Sequence, residues 1–350
     1  MDMPAPPLPT QALTDAERFS ALHELIGAPD PEMGAFTEAI RALVRTSYEA
    51  HVMPLVRAHW PELQTIPAGN KLEFLTCKLY ATAPYTVLIC SSRWPRATAM
   101  IASPVRLLGL DRRAIAKLAA VLVRALFHLL PQATRRRIVI TGMFIATVDH
   151  VFDHCMDDVA PAERERRVHG VLDGTYEPSD PPLRLVRALK VAMGEGVMPA
   201  DAEAFGGVIE RVREWAASEV KAMTGVPDPS GLAWRMAGVL GTIDGLIFPV
   251  HRQAAPGARE WMYDVSLFVQ MLDDWIDEEK DRKEARATPV LSGTWTLATV
   301  REQFVATLNG LEGLAERSGF GSAAFVDFAR EAYRLMAHEV MQAMVKGTAA

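Results

Sequence analysis

Helical periodicity runs through almost the whole chain, and this pattern restricts the fold more than any other feature. Apolar residues recur at three- and four-residue spacing in stretches such as 15–26, 32–60 and 110–130. This spacing places apolar side chains on one face of an α-helix. A β-branched run occurs within 135–148, but it is continuous with the helical pattern on both sides. The sequence therefore predicts an all-α protein that folds as a single-domain helical bundle.

Capping and helix-breaking residues predict where the helices begin and end. A first helix should start behind Thr14 and end near Gly27, and a long helix should run from about Gln132 to Met156. Residues 158–182 are predicted to be rich in loops. Later helices are predicted at 182–194, 200–223, 230–250, 258–281, 297–317 and 321–346.

Composition narrows the class of partner. Of the 350 residues 49% are apolar, and the net charge of −6 argues against a nucleic-acid partner. No apolar run is long enough for a transmembrane helix, and Cys77, Cys90 and Cys155 form neither a zinc pattern nor a disulfide framework. A Pro-rich leader over 1–14, expected to be disordered and unlike a signal peptide, precedes a helical domain over 15–350. We therefore expect a cytoplasmic protein and leave open whether it forms a homodimer.

Two acidic segments, 149–158 and 268–282, lie within otherwise apolar helical sequence. In each segment aspartates recur every four residues. These aspartates are Asp149, Asp153 and Asp157 in the first segment and Asp273, Asp277 and Asp281 in the second. Four residues advance about 400° around a helix, so each series should lie on one slowly turning face. Carboxylates that share a buried face without a counter-ion would be strongly destabilising.

A Mg²⁺ site would explain both segments at once. Mg²⁺ takes oxygen ligands and is commonly held by a few carboxylates together with the phosphates of a substrate. One such series alone is typical of a solvated helix surface, but two on apolar helices are hard to explain in that way. Asp157 lies at a loop edge and is the weakest candidate. Asp274 and Glu278 point about 100° away from the series, so we predict peripheral or solvent-facing positions for them.

The residues around these segments resemble the squalene/phytoene synthase family. LLPQATRRRIVITGMFIATVDHVFDH, residues 129–154, looks like the family's LLP, arginine, apolar helix and DxxxD, with the first two aspartates of the first segment on the DxxxD. WRMAGVLG, residues 234–241, resembles the family's YxVAGxVG helix. In the second segment Gln270 matches the family's glutamine, and Asp277 and Asp281 match its two outer acids.

This resemblance covers about residues 115–290 and implies the class I isoprenoid synthase fold, an all-α bundle whose two Asp-rich helices hold Mg²⁺ and a prenyl diphosphate. The chain departs from the family at Ile276 and Lys280, where an arginine and an acid are expected, and it lacks the Ser-Arg/Lys-Ser-Phe segment. The second segment instead resembles the metal motif of terpene cyclases and the large-terpene cyclases related to squalene synthase. These departures favour a terpene synthase that ionises one linear prenyl diphosphate.

The residues and the resemblance together assign roles. The predicted metal ligands, which would hold three Mg²⁺ ions with diphosphate bound, are Asp149, Asp153, Asp157, Asp273, Asp277 and Asp281. The predicted diphosphate-binding residues are Arg282, Lys280, Arg235 and Arg334. The aromatic residues predicted to line a cavity for the carbocation are Phe152, Trp234, Phe248 and Trp275. The basic run Arg135, Arg136 and Arg137 is predicted to lie on the surface at the opposite end of the bundle.

Three other functions stay open on the sequence alone. A squalene/phytoene-synthase-like prenyltransferase would use the same acidic segments for a head-to-head condensation. His150 and His154, beside the first segment, would suit a metal-dependent phosphohydrolase, but that function predicts more histidines near the second segment. A non-enzymatic helical interaction protein would explain the amphipathic helices, but it gives no reason for two acidic series.

Overall fold

The fold is helical throughout the part of the chain that the computed structural model describes. The described residues are 14–28, 30–64, 111–225, 233–254, 256–317 and 323–348. Within them the chain forms thirteen α-helices and no β-strand, so the all-α prediction is confirmed. None of these helices combines the length and the apolar character needed to cross a membrane. The leader up to residue 13, together with Cys77 and Cys90, lies outside the described residues.

The helices are numbered α1 to α13 in chain order. Their bounds are α1 Asp15–Ile26, α2 Gly34–His51, α3 Met53–His59, α4 Arg112–Leu129, α5 Gln132–His154, α6 Pro161–Asp173, α7 Pro181–Gly194, α8 Ala202–Met223, α9 Ala233–Ile247, α10 Ala258–Ile276, α11 Glu278–Lys283, α12 Leu297–Arg317 and α13 Ala323–Thr348. Short 3-10 turns lie at Pro31–Met33, Pro61–Gln64, Pro199–Asp201 and Phe248–Gln253.

Helix α1 shows how local chemistry sets a boundary. The Thr14 side chain accepts a hydrogen bond from the Glu17 amide at 3.3 Å, and the Glu17 carboxylate accepts one from the Thr14 amide at 2.8 Å. This reciprocal capping box satisfies amides that the first helical turn leaves without partners. Gly27 follows the helix with φ +81°, a conformation that favours glycine. Both predicted ends of this helix are confirmed.

The stretch predicted to be rich in loops contains a helix instead. Helix α6 begins at Pro161, and Gly174 follows it in a left-handed conformation with φ +76°. A proline at the first helical position and a glycine after the last one are ordinary helix boundaries. The loop-rich prediction for 158–182 was wrong over Pro161–Asp173, because the proline and the glycine bound a helix there and do not interrupt it.

The second acidic segment is not one continuous helix. Helix α10 ends at Ile276, and Asp277, with φ −85° and ψ 6°, separates it from α11. The Asp277 amide still donates to the Asp273 carbonyl at 2.9 Å, and the Asp281 amide donates to the Asp277 carbonyl at 2.8 Å. The four-residue spacing therefore persists across the break, although the single helix predicted over 258–281 was wrong.

Helix α9 is packed directly against the helices that carry both acidic segments. It contacts α5, α8 and α10. A Cβ atom added at Gly238 would lie 2.8 Å from Cδ1 of Trp215 on α8, and one added at Gly245 would lie 2.6 Å from Cδ1 of Ile145 on α5. The absence of side chains at these glycines permits the close approach of the three helices.

The N-terminal end of α5 is more buried than predicted. Arg137 is 8% exposed, donates to the Gly196 carbonyl at 3.0 Å and lies 5.4 Å from the centre of the Phe248 ring. Its guanidinium is also 3.9 Å from the Asp201 carboxylate. The surface position predicted for Arg137 was wrong, because carbonyl and carboxylate oxygens of neighbouring turns provide partners for the buried cation.

Candidate functional site

The candidate site lies where the C-terminal ends of α5, α8 and α10 meet the N-terminal end of α9. Asp153 lies in the last turn of α5, Glu219 lies near the end of α8, and Asp274 lies in the last turn of α10. The carbonyl groups at a helix C-terminus carry partial negative charge, so a carboxylate there is unfavourable. Three acids at three such ends therefore require positive charge nearby.

Arg235, in the first turn of α9, supplies part of that charge. Its Nη1 donates to Glu219 Oε1 at 2.6 Å, and its Nη2 lies 3.4 Å from Asp274 Oδ1. All three residues are buried, and the guanidinium lies 4.5 Å from the centre of the Trp234 ring. Buried charges persist only with partners of this kind. Arg235 is therefore a counter-ion for the interior of the bundle.

Arg286, in the segment after α11, brings the two acidic segments together. Its Nη2 lies 3.4 Å from Asp153 Oδ1, its Nη1 lies 4.0 Å from Glu219 Oε2, and its Nε donates to Glu284 Oε2 at 3.0 Å. Asp153 and Arg286 are 133 residues apart in the chain. Burial disfavours the Arg286 cation, but Asp153 and Glu219 outweigh burial and raise its pKa.

The backbone around Arg286 is held on both sides. The Arg286 amide donates to the Asp281 carbonyl at 2.9 Å, and the Ala287 amide donates to the Ala222 carbonyl of α8 at 3.1 Å. Ala285 has φ +55°, and among the described residues it is the one non-glycine with a positive φ. A side chain in this conformation costs free energy, so the surrounding contacts must hold the turn in place.

Two acids of the second segment are almost fully buried. Asp274 is 2% exposed and Asp281 is 4% exposed. Burial, together with the negative charges of neighbouring aspartates, raises the pKa of Asp274 to about 6 and that of Asp281 to about 7. Burial likewise raises the pKa of Glu219 to about 7.

Asp274 also has an oxygen that the protein does not satisfy. Its Oδ1 accepts from Gln270 Nε2 at 2.9 Å, but its Oδ2 is buried without a hydrogen-bond partner. The solvent-facing alternative predicted for Asp274 was wrong, since this residue is 2% exposed, whereas its contacts with Gln270 and Arg235 agree with the other alternative, a peripheral position behind the ligands. A buried carboxylate oxygen without a donor indicates that the cluster lacks positive charge.

The remaining predicted metal ligands are distributed around this cluster. Asp149 lies one turn before Asp153 on α5 and is exposed, whereas Asp273 and Asp277 are half-buried. Asp157 lies beyond the end of α5, where its exposed carboxylate is 3.8 Å from Arg164. Within the described ranges, no three His, Cys, Asp or Glu side chains lie close enough together to hold a metal ion.

The predicted basic residues fall into two groups. Lys280 Nζ lies 3.7 Å from Asp277 Oδ2, and although burial disfavours the Lys280 cation, Asp277, Glu284 and Asp153 raise its pKa. Lys280 therefore belongs to the cluster, as does Arg235. Arg282 pairs with Glu278, which also pairs with Arg18 of α1.

Arg334 lies at the other end of α1. Its Nε is 3.8 Å from Glu331 Oε1, and its Nη1 is 3.5 Å from where a Cβ atom of Gly27 would be. Arg334 therefore lies against α13 and the end of α1, and these contacts do not connect it to the cluster.

Three of the four predicted aromatic residues are neighbours in the chain of charged members of the cluster. Phe152 is fully buried with its ring edge against Trp215 at 5.4 Å, Trp234 lies under Arg235, and Trp275 is buried next to Asp274 in the chain. Phe248 lies beside Arg137, which precedes Asp153 by roughly 24 Å along α5. Phe248 is therefore at the opposite end of the bundle.

Sequence reasoning missed Glu219 and Arg286. Glu219 could have been recognised from the sequence, because it lies on the same buried face of α8 as Val212, Ala216 and Ala222. An acidic residue on an otherwise apolar helix face is unusual and therefore indicates a functional or paired carboxylate. Arg286 lies in a short segment after α11, where helical periodicity gives no information about direction.

The resemblance to a family depends only on the motifs in residues 129–154, 234–241 and 268–282. No protein-family model matches this chain, and a comparison with curated proteins also gives no match.

Proposed function

We propose that this chain is a Mg²⁺-dependent class I terpene synthase, which ionises a linear prenyl diphosphate and releases diphosphate and a terpene. The observation that supports this proposal best is the contact of Asp153, in the first acidic segment, with Arg286, 133 residues later, whose amide donates to the Asp281 carbonyl of the second segment, because these two contacts bring both segments to one buried cluster. The resemblance of both segments to the metal motifs of isoprenoid synthases supplies the reaction class.

The side chains of the cluster fit Mg²⁺ in their chemistry. The acidic side chains of the cluster offer carboxylate oxygens as metal ligands, and Mg²⁺ prefers oxygen ligands of this kind. One of these oxygens, Oδ2 of Asp274, is buried without a donor. We propose as ligands Asp149, Asp153, Asp273, Asp277 and Asp281. Three Mg²⁺ ions bound there would supply Lewis-acid neutralisation of the leaving diphosphate.

The basic residues of the cluster have separate tasks in this proposal. Lys280, beside Asp277, would donate to the diphosphate from the edge of the site. Arg235 keeps Glu219 and Asp274 in place through its two buried contacts. Rigid support of this kind fixes the direction of the ligand carboxylates, which a charge-stabilising site requires.

The apolar residues beside the acids have the task of excluding water. Phe152, Trp234 and Trp275 are all buried, each is next to a charged member of the cluster in the chain, and the Trp234 ring lies 4.5 Å from the Arg235 guanidinium. Aromatic faces stabilise a nearby cation by roughly 0.5–2 kcal/mol. A hydrocarbon chain that enters along these helices would therefore meet a surface that tolerates a carbocation.

Product analysis tests the proposal directly. Purified protein is incubated with Mg²⁺ and, separately, with linear prenyl diphosphates of ten, fifteen, twenty and more carbons. We expect diphosphate release and a cyclic hydrocarbon from one of these substrates. A linear product of doubled length would identify a squalene/phytoene-synthase-like prenyltransferase instead. Absence of diphosphate release with every substrate would exclude both enzymes.

Variants of one aspartate from each segment test the assignment of the ligands. Asp149→Ala and Asp277→Ala should each lower the rate of diphosphate release by at least about a hundredfold, the loss typical of a missing charge-stabilising group. Asp244→Ala removes an aspartate that pairs with Arg259 on α10 and serves as the matched control. Circular dichroism should give the same helical content for all three variants. Full activity of either ligand variant would refute the metal assignment.

A further inference from the structure

We propose that Arg286 is the counter-ion of the first acidic segment in the metal-free protein, and that it becomes a diphosphate-binding residue once Asp153 exchanges it for Mg²⁺. This inference rests on the proposed function, and it assigns to Arg286 a role in the order of binding. It concerns a residue that lies outside both acidic segments.

The contact distances indicate that Arg286 is held loosely. Charge-assisted hydrogen bonds between a guanidinium and a carboxylate are usually about 2.7–2.9 Å long. Arg235 meets this standard with its 2.6 Å contact to Glu219. Arg286 lies 3.4 Å from Asp153 and 4.0 Å from Glu219, and its shortest carboxylate contact is the 3.0 Å bond to Glu284, outside both acidic segments. Arg286 can therefore give up Asp153 at a smaller cost than Arg235 would incur on losing Glu219.

The exchange follows from the charges on the two cations. Arg286 offers Asp153 a single delocalised positive charge, whereas Mg²⁺ offers two charges to the same oxygen at shorter range. After the exchange, Arg286 keeps its contacts with Glu219 and Glu284. The Nη2 group that faced Asp153 then points toward the metal-bound carboxylate and is available to a diphosphate, which suits the planar fork of a guanidinium.

The backbone keeps Arg286 within reach during this change of partner. Its amide is bonded to the carbonyl of Asp281, one of the proposed ligands, and the next amide is bonded to Ala222 of α8. Ala285 directly before it is held in a left-handed conformation. The Cα atom is therefore fixed beside the site, so the guanidinium stays within reach of an anion that binds next to Asp153.

Calorimetric titration tests this inference without an activity assay. Wild type, Arg286→Gln, Arg286→Lys and the surface control Arg259→Gln are titrated first with Mg²⁺ alone and then, at saturating Mg²⁺, with inorganic diphosphate. Removing the competing cation in Arg286→Gln should tighten Mg²⁺ binding and weaken diphosphate binding, each by on the order of tenfold. Arg286→Lys keeps the charge but not the fork, so Mg²⁺ should bind within about threefold of wild type and diphosphate about tenfold more weakly.

In Arg286→Gln we expect tighter Mg²⁺ binding and weaker diphosphate binding, and these opposite changes distinguish a counter-ion that is exchanged for Mg²⁺ from a residue that only supports the structure. If Arg286→Gln weakened both ligands or changed neither, the exchange would be wrong while the proposed function stood. If Arg286→Gln did not fold, wild-type affinity of Arg286→Lys for diphosphate would overturn the inference in its place. If wild type itself bound no diphosphate in the presence of Mg²⁺, the proposed function would fail first. Arg259, which pairs with Asp244 between α9 and α10, should leave both titrations unchanged.

Discussion

At the scale of single residues, Arg235 is the residue whose replacement we expect to lower the stability of the protein most. It is buried between Glu219 and Asp274, which are themselves buried. Breaking a buried ion pair by removing one partner leaves a desolvated charge behind, at a cost of about 3–5 kcal/mol. We therefore expect Arg235→Gln to lower the free energy of unfolding by roughly this amount at neutral pH, measured by urea denaturation.

Arg259→Gln is the control for this measurement. Arg259 also contacts a carboxylate, that of Asp244, but it is half exposed, and exposed ion pairs contribute little. Its urea midpoint should stay close to that of wild type. If Arg235→Gln also unfolded at the wild-type midpoint, the cluster would not be the buried network that the distances describe.

Individual residues also show what the sequence could reveal about the site. Asp153 and Asp281 were predicted as site residues because they belong to acidic motifs with recognisable spacing, and Arg235 because it lies in the segment 234–241 that resembles a family motif. Glu219 and Arg286 were not predicted, since they come from outside the motifs and meet Asp153 only through the packing of α8 and the segment after α11. Such partners depend on which helix ends meet, and periodicity within one helix does not contain that information.

At the scale of the elements, the glycines of α8 and α9 give opposite expectations for the same substitution. An added Cβ at Gly207 in α8 would have no heavy atom within 4 Å, so Gly207→Ala should stabilise the protein by about 0.5–1 kcal/mol through helix propensity. An added Cβ at Gly238 would lie 2.8 Å from the Trp215 ring, so Gly238→Ala should destabilise it by about 1–3 kcal/mol through overpacking.

Urea denaturation of the two variants side by side checks this pair. Both replace glycine by alanine inside a helix, so the propensity gain is common to them. A stabilising effect at both positions would show that α9 does not approach α8 as closely as the described contacts indicate.

Helix boundaries were predicted correctly where a capping residue or a glycine ends the helix, and they were missed where a helix is only interrupted. Thr14 and Gly27 mark α1 through their own hydrogen bonding and backbone preference. The interruption at Asp277 leaves the hydrogen bonds to Asp273 and from Asp281 in place, so the four-residue pattern continues through it. A pattern of apolar and acidic residues is nearly the same with or without such a break.

At the scale of the whole molecule, the buried acids make stability depend on pH. The pKa of Asp274 is raised to about 6 and that of Glu219 to about 7, so the folded protein binds more protons than the unfolded chain between their ordinary and raised values. Their stabilising contribution is therefore complete below about pH 4 and is lost as the pH rises through 6 and 7. We expect metal-free wild type to lose stability relative to the Glu219→Gln, Asp274→Asn double variant between pH 5 and 8.

The size of this loss should be of the order of 3 kcal/mol, from the raised pKa values and the free energy that each pH unit represents. Urea denaturation of both proteins at several pH values in a chelator measures it. Glu163→Gln is the control, because the pKa of Glu163 is shifted in the opposite direction. Hydrogen bonds from two arginines lower this pKa to about 2, so the contribution of Glu163 to stability changes only below pH 5. A constant difference between wild type and the double variant from pH 5 to 8 would contradict the expectation.

For the whole molecule, the sequence supplied the class of fold but not its arrangement. Amphipathic helices leave no alternative to an all-α bundle, because each needs another helix to cover its apolar face. The same helices could pack in many orders. The order seen here, with α9 against α5, α8 and α10, depends on the close approach that Gly238 and Gly245 permit.

The ion pair between Asp153 and Arg286 has a consequence for the synthesis of the chain. A ribosome makes Arg286 133 residues after Asp153, which takes roughly 7–27 s at 5–20 residues per second. During that interval the acidic end of α5 lacks its counter-ion, and α10 and α11 are made only in the last part of it. Contacts between residues far apart in sequence form slowly for the same reason, since a long loop must close first. The acidic cluster should therefore be among the last parts of this protein to become native, and a nascent chain stalled before residue 286 should expose α5 to proteases.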